Sequence, residues 1–95
     1  MDLKQLLQQQ NTTIVDVREP YEFEELHLDG AVNIPLSVLP LKVEEFRQMS
    51  RPIVLYCRTG NRSGQAVNFL TASGIEEVYN GGGLEDLFQL QNGIA

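Results

Sequence analysis

Pro52-Ile53-Val54-Leu55-Tyr56-Cys57-Arg58-Thr59-Gly60-Asn61-Arg62-Ser63 is the stretch from which the fold is read. The residues between Pro52 and Cys57 are all apolar or aromatic, so both faces of a strand built from them want cover. This is the signature of a central strand in a parallel sheet. Arg58 to Arg62 cannot extend that strand. A helix is expected from about Ser63, with Ala66, Val67 and Leu70 as its apolar stripe and Ser73-Gly74 as its end.

Outward from this centre the chain alternates short apolar runs with amphipathic segments, the α/β pattern. Leu3, Leu6 and Leu7 predict a short helix over about residues 2–9. Thr13-Ile14-Val15-Asp16-Val17 is compact and β-branched, a buried strand. Pro20 fits the first turn of a short helix through about Glu25. Val32 and Ile34 alternate in a short strand closed by Pro35. Pro40 introduces a helix through about Met49, with Leu41, Glu44, Glu45 and Gln48 at helical spacing. Val78-Tyr79 reads as a last short strand, Gly81-Gly82-Gly83 as a flexible turn, and Leu84, Leu87 and Phe88 as a terminal helix. The expected architecture is one α/β domain over residues 1–95: a small, open, mostly parallel sheet of four strands flanked by helices. A fifth strand is expected only if the first residues pair.

Size and charge limit what such a domain does. A chain of 95 residues is about one domain's worth. Seven basic residues against thirteen acidic ones give a net charge of −6. That argues against general nucleic-acid or anionic-membrane binding, which needs a broad positive field. No apolar run approaches the ~18 residues of a membrane span. The first residues lack a charged leader followed by an apolar stretch, so a cytoplasmic protein is expected. The single cysteine cannot form an internal disulfide; it is either a small buried hydrophobe or a reactive thiol, and its surroundings decide.

Those surroundings carry chemistry. Cys57 ends a buried strand and a helix follows within a few residues, where open parallel sheets place their ligands. Glycine and asparagine in the connecting loop tolerate backbone conformations that let successive N–H groups converge on one point. Such a nest, backed by a helix N-terminus, stabilises an anion. The same donors, with Arg58 or Arg62 nearby, favour thiolate over thiol. A thiolate in an anion cradle can attack an electrophilic sulfur and hold it as a persulfide.

Three segments in order resemble the rhodanese family. They are Ile14-Val15-Asp16-Val17-Arg18-Glu19-Pro20-Tyr21-Glu22-Phe23 followed by His27-Leu28-Asp29-Gly30-Ala31-Val32-Asn33-Ile34-Pro35, the loop Cys57-Arg58-Thr59-Gly60-Asn61-Arg62-Ser63, and Gly81-Gly82 before a helix. The resemblance covers nearly the whole chain. It implies a rhodanese-like fold and a thiosulfate:cyanide-type sulfurtransferase, or a carrier of sulfane sulfur between proteins. Cys57 matches the catalytic cysteine. Arg58, Thr59, Gly60, Asn61 and Arg62 match the residues that hold the outer sulfur and the substrate anion. Asp16 and Arg18 match positions that brace the sheet, and His27 a position with a structural, hydrogen-bonded role. Two departures stand out: Leu26 replaces the usual glycine before His27, and no tryptophan follows the double glycine.

Two other readings are open. Cysteine-dependent phosphatases and arsenate reductases also use a Cys–Arg anion loop, but with five residues between the two; Arg58, Thr59, Gly60 and Asn61 make four here. A rhodanese-like interaction module without activity is the other, although such modules usually lack the cysteine or an intact loop. The expected partners are a small anionic sulfur donor and a thiol or protein acceptor, with the chain a monomer or weak dimer. No cofactor is expected, and one Cys with one His makes a poor metal site.

Overall fold

The computed structural model describes residues 2–92. Helix α1 (Leu3–Gln8) is capped by Asp2, whose carboxylate accepts the Gln5 N–H at 2.9 Å. It leads into β1 (Thr13–Asp16), α2 (Pro20–Glu25) and the two-residue β2 (Val32–Asn33). A short 3-10 turn (Leu39–Lys42) precedes α3 (Val43–Gln48). Then come β3 (Ile53–Cys57), α4 (Asn61–Ala72), β4 (Val78–Gly83) and α5 (Leu84–Gln91). The four strands form one parallel sheet in the order β2-β1-β3-β4. The fold class expected from the sequence is therefore observed, with four strands.

Strand β3 explains the layering. All five of its residues are buried, and successive side chains alternate between faces of the sheet. Ile53, Leu55 and Cys57 join Val15, Leu39, Phe46, Ala66 and Leu70 on the side covered by α3 and α4. Val54 and Tyr56 join Leu6, Ile14, Leu28 and Leu87 on the side covered by α1 and α5. A central strand thus has a core on each face, as its continuous apolar run requires.

Three local expectations are corrected. The segment after Pro40 is not one helix: the 3-10 turn comes first, and the side chain that anchors α3 is the fully buried Phe46. Leu41, taken as part of that helix's spacing, is 84 % exposed. Helix α4 starts at Asn61, earlier than Ser63, because Gly60 adopts φ +99° and turns the chain straight into helical geometry.

The triple glycine is not a free turn but the end of β4. Leu55 pairs with Asn80 and Tyr56 with Gly82, so Gly81 is the extra residue of a bulge. A Cβ on Gly81 would lie 2.7 Å from Leu87 Cδ1 and 2.8 Å from Val54 Cγ1. Glycine here lets β4 pass close to both β3 and α5.

The C-terminal ends of the strands are braced by polar groups. Arg18 donates to the Asp16 carboxylate at 2.7–3.1 Å through Nε and Nη2, and its Nη2 also reaches the Leu26 carbonyl at 2.6 Å. Both residues are buried. Asn33 Nδ2 ties the Asp16 and Arg18 carbonyls, each at 3.0 Å. The Tyr56 hydroxyl accepts the Leu28 N–H at 3.1 Å. Burial pushes that phenol's pKa up, so it stays a neutral pin between β3 and the loop after α2. Asp16 and Arg18 hold the bracing role that the resemblance implied.

Candidate active site

Strand β3 delivers Cys57 to the C-terminal end of the sheet, and α4 begins four residues later. Between them the chain wraps the sulfur. The Gly60 N–H donates to Cys57 Sγ at 3.0 Å and the Ser63 N–H at 3.4 Å. The Thr59 amide also favours a charged sulfur. Ser63 lies in the first turn of α4, where backbone N–H groups have no partner inside the helix. Its amide is therefore free to serve the sulfur. Its hydroxyl also lies 3.4 Å from Sγ.

Two opposed effects act on the thiol. Cys57 is 1 % exposed, and this burial, the larger single influence, favours the neutral form. The Ser63 hydroxyl and the amides of Ser63, Thr59 and Gly60 together outweigh it and bring the pKa below the ordinary thiol value. The sulfur is thus both enclosed and acidified, a combination that an inert core cysteine lacks.

The two loop arginines differ in what they hold. Arg62 donates through both terminal nitrogens to Glu22, at 2.8 and 3.2 Å. Arg58, whose side chain is 67 % exposed, reaches Glu22 only at 3.5 Å. Glu22 is buried on α2 and also accepts the Glu19 N–H at 3.0 Å. The Arg62 guanidinium holds the Glu22 carboxyl at about 2, well below the usual carboxylate range, against the opposing effect of burial. The same pairing raises the Arg62 pKa. A cleft of about 260 Å³ lined by Arg18, Leu26, Arg58, Leu84 and Glu85 adjoins the loop through Arg58.

The far wall is β4. Ser63 Oγ donates to Asn80 Oδ1 at 2.7 Å, and Asn80 Nδ2 donates to the Gly60 carbonyl at 3.1 Å. A Cβ on Gly83 would lie 2.6 Å from the Arg58 carbonyl oxygen. The loop therefore rests directly on glycine backbone.

Of the residues picked out in the sequence, Thr59 and Gly60 bring amides to Cys57 Sγ. Arg58 flanks the loop, Asn61 is the exposed first residue of α4, and Arg62 turns to Glu22. His27 stands apart and exposed. Its ring stacks on Phe23 at 3.7 Å, and its Nδ1 meets the Phe23 carbonyl at 2.7 Å. Sequence reasoning missed Glu22, Asn80 and the contact of Ser63 with the sulfur. Glu22 left no local signal: that this carboxylate is the sole buried residue of α2 is visible only in the structure. Among the described residues no cluster of His, Cys, Asp and Glu could hold a metal, and no helix is long and apolar enough to cross a membrane.

A parallel sheet whose central strand ends in an amide-cradled cysteine defines a class, and comparison with known proteins agrees with it. Residues 1–88 match the rhodanese-like domain, and the chain belongs to that family. Over 67 residues it is 48 % identical to the uncharacterized protein YqhL of Bacillus subtilis, covering 70 % of this chain and 52 % of that protein. The chain thus spans about half the length of that relative. Over 74 residues it is 35 % identical to thiosulfate sulfurtransferase PspE of Escherichia coli, covering 77 % of this chain and 71 % of PspE. Among solved structures, an Escherichia coli rhodanese with anions superimposes with a TM-score of 0.72 at 34 % identity, covering 79 % of this chain and 89 % of that one.

Proposed function

We propose that the chain is a sulfurtransferase that moves sulfane sulfur from an anionic donor such as thiosulfate to cyanide or a thiol, through a persulfide on Cys57. The observation that carries this reading is the pair of N–H donors converging on Cys57 Sγ from Gly60 and Ser63, with the Thr59 amide also favouring the charged form. Its resemblance to a protein named thiosulfate sulfurtransferase supports it, as does a loop with four residues between Cys57 and Arg62, one fewer than cysteine-dependent phosphatases place there.

The reaction divides into two displacements. The Cys57 thiolate attacks the sulfane sulfur of thiosulfate; the new Sγ–S bond forms as the donor S–S bond breaks, and the electron pair leaves with sulfite. Cyanide or a thiolate then attacks the outer sulfur, and the pair of the Sγ–S bond returns to Cys57 as thiolate. No net redox change and no cofactor is required. The amides of Thr59 and Gly60 stabilise the anionic sulfur at both stages, a fixed electrostatic contribution that needs no reorganisation. Arg58, loosely held and exposed, is the donor's cationic contact. Arg62 is engaged by Glu22 and fixes the start of α4, and Asn61 lines the mouth of the loop.

The kinetic signature is double displacement. Initial rates with thiosulfate and cyanide varied together are expected to give parallel reciprocal lines. Intersecting lines would remove the covalent intermediate and with it this reading.

A further inference from the structure

Once Cys57 is ionised, the two hydrogen bonds at Ser63 cannot both be satisfied by one position of its proton. Ser63 Oγ lies 2.7 Å from Asn80 Oδ1 and 3.4 Å from Cys57 Sγ. A hydroxyl donates one proton and accepts through its oxygen. The orientation of the Asn80 amide is set by two other partners: its nitrogen faces the Gly60 carbonyl at 3.1 Å and its oxygen faces the Gly82 N–H at 2.9 Å. Asn80 therefore presents Ser63 with an acceptor only.

Two states follow. While the sulfur carries its proton, the S–H donates to Ser63 Oγ and the Ser63 proton goes to Asn80. Once the sulfur is ionised it can only accept, and it competes with Asn80 for that one proton. The charged groups around the sulfur are Arg58 in the loop, Arg62 on α4, Glu22 on α2 behind them, and Asp16 and Arg18 at the end of β1. From β4 the facing residues, Asn80 to Gly83, carry no charge. The element β4 brings to the sulfur is thus a dipole acting through Ser63.

We propose that Asn80 is a positioning residue that holds the Ser63 hydroxyl proton whenever Cys57 Sγ is uncharged and yields it when the thiolate forms, so that Ser63 is a donor that follows the charge on the sulfur. Its meaning for turnover rests on the sulfurtransferase reading. In the free thiolate, Ser63 points to Sγ. In the persulfide, where Sγ is bonded to a second sulfur and the charge sits on the outer atom, Ser63 returns to Asn80 and the backbone amides remain to serve the anion. The weakening of the Ser63–Sγ bond on loading then accompanies each transfer.

The test is the titration of Cys57, the only cysteine, followed through the Cβ resonance of isotope-labelled protein. Asn80→Ala deletes the competing acceptor and is expected to lower the midpoint by about half a unit to one unit, the scale of one hydrogen bond between neutral groups. Ser63→Ala deletes the donor and raises it. In the Ser63→Ala background, adding Asn80→Ala leaves the midpoint where it was. A residue that merely shaped the loop would, on removal, loosen the amide cradle and raise the midpoint whether or not Ser63 was present. A rise, no change, or an equal fall in both backgrounds overturns the proposal. If Asn80→Ala does not fold, Asn80→Ser, which retracts the amide oxygen from Ser63 but leaves a polar group, is expected to show the same fall. The titration needs no turnover, so a chain that never loads sulfur would sink the functional reading and leave this result standing.

Discussion

Glu22 and Arg62, 40 residues apart in sequence, meet in a two-pronged ion pair at 2.8 and 3.2 Å. The pair fastens α2 to the first turn of α4, the turn that also supplies the Ser63 amide to the sulfur. Its carboxylate is buried while the Arg62 side chain is 34 % exposed, so its energetic weight lies between that of a surface pair and a fully enclosed one. Replacing Glu22 with Gln keeps the shape and removes the charge. The expected cost is about 1–3 kcal/mol in urea unfolding at neutral pH.

The same pair sets a pH window. The Glu22 carboxyl titrates at about 2 in the folded chain and near 4.5 when free. A depressed acid contributes stability above its unfolded value, and that contribution is lost as pH falls through the folded one. Between about pH 4.5 and 2 the wild type is expected to lose stability more steeply than Glu22→Gln. Urea midpoints measured across that range check this; parallel curves would detach Glu22 from the acid response.

The two loop arginines are expected to separate by kinetics. Arg58→Ala removes an exposed cation that nothing holds tightly, so the KM for thiosulfate should rise about three- to tenfold, less so at high salt. Arg62→Ala leaves the buried Glu22 with only the looser Arg58 contact at 3.5 Å as a cationic partner. It should lower thermal stability and slow anionic and neutral donors alike. A donor-selective effect at Arg62 and none at Arg58 would reverse the assignment.

Gly83 supports the cysteine loop by having no side chain. A Cβ there would press on the Arg58 carbonyl oxygen at 2.6 Å, and backbone cannot swing aside as a side-chain tip can. Gly83→Ala is expected to displace the loop and cut the rate of sulfur uptake about a hundredfold, the scale of an ångström's misplacement at a reacting atom. Gly81→Ala presses instead on Leu87 and Val54. It should appear mainly as lost stability, about 1–3 kcal/mol by the usual cost of overpacking.

Much of this was legible in the sequence because β3 and its loop combine strong local signals. A continuous apolar run fixes a central strand, and glycine at position 60 allows the turn that aims α4 at the sulfur. Glu22, Asn80 and Phe46 were hidden for different reasons. Glu22 and Asn80 act through partners tens of residues away, and no local periodicity marks such contacts. Phe46 lost to Leu41 because helical spacing cannot choose a face until the sheet it packs on is known. The glycines at 81–83 looked like a free turn since sequence shows flexibility but not the close neighbours that demand it.

The central claim is that Cys57, enclosed yet acidified, accepts a second sulfur. The most direct measurement is intact mass after incubation with thiosulfate, with and without later cyanide, in wild type and Cys57→Ser. The account predicts a gain of one sulfur atom in the wild type, removed by cyanide, and no gain in the variant. An unchanged wild-type mass, or the same gain in Cys57→Ser, would contradict it.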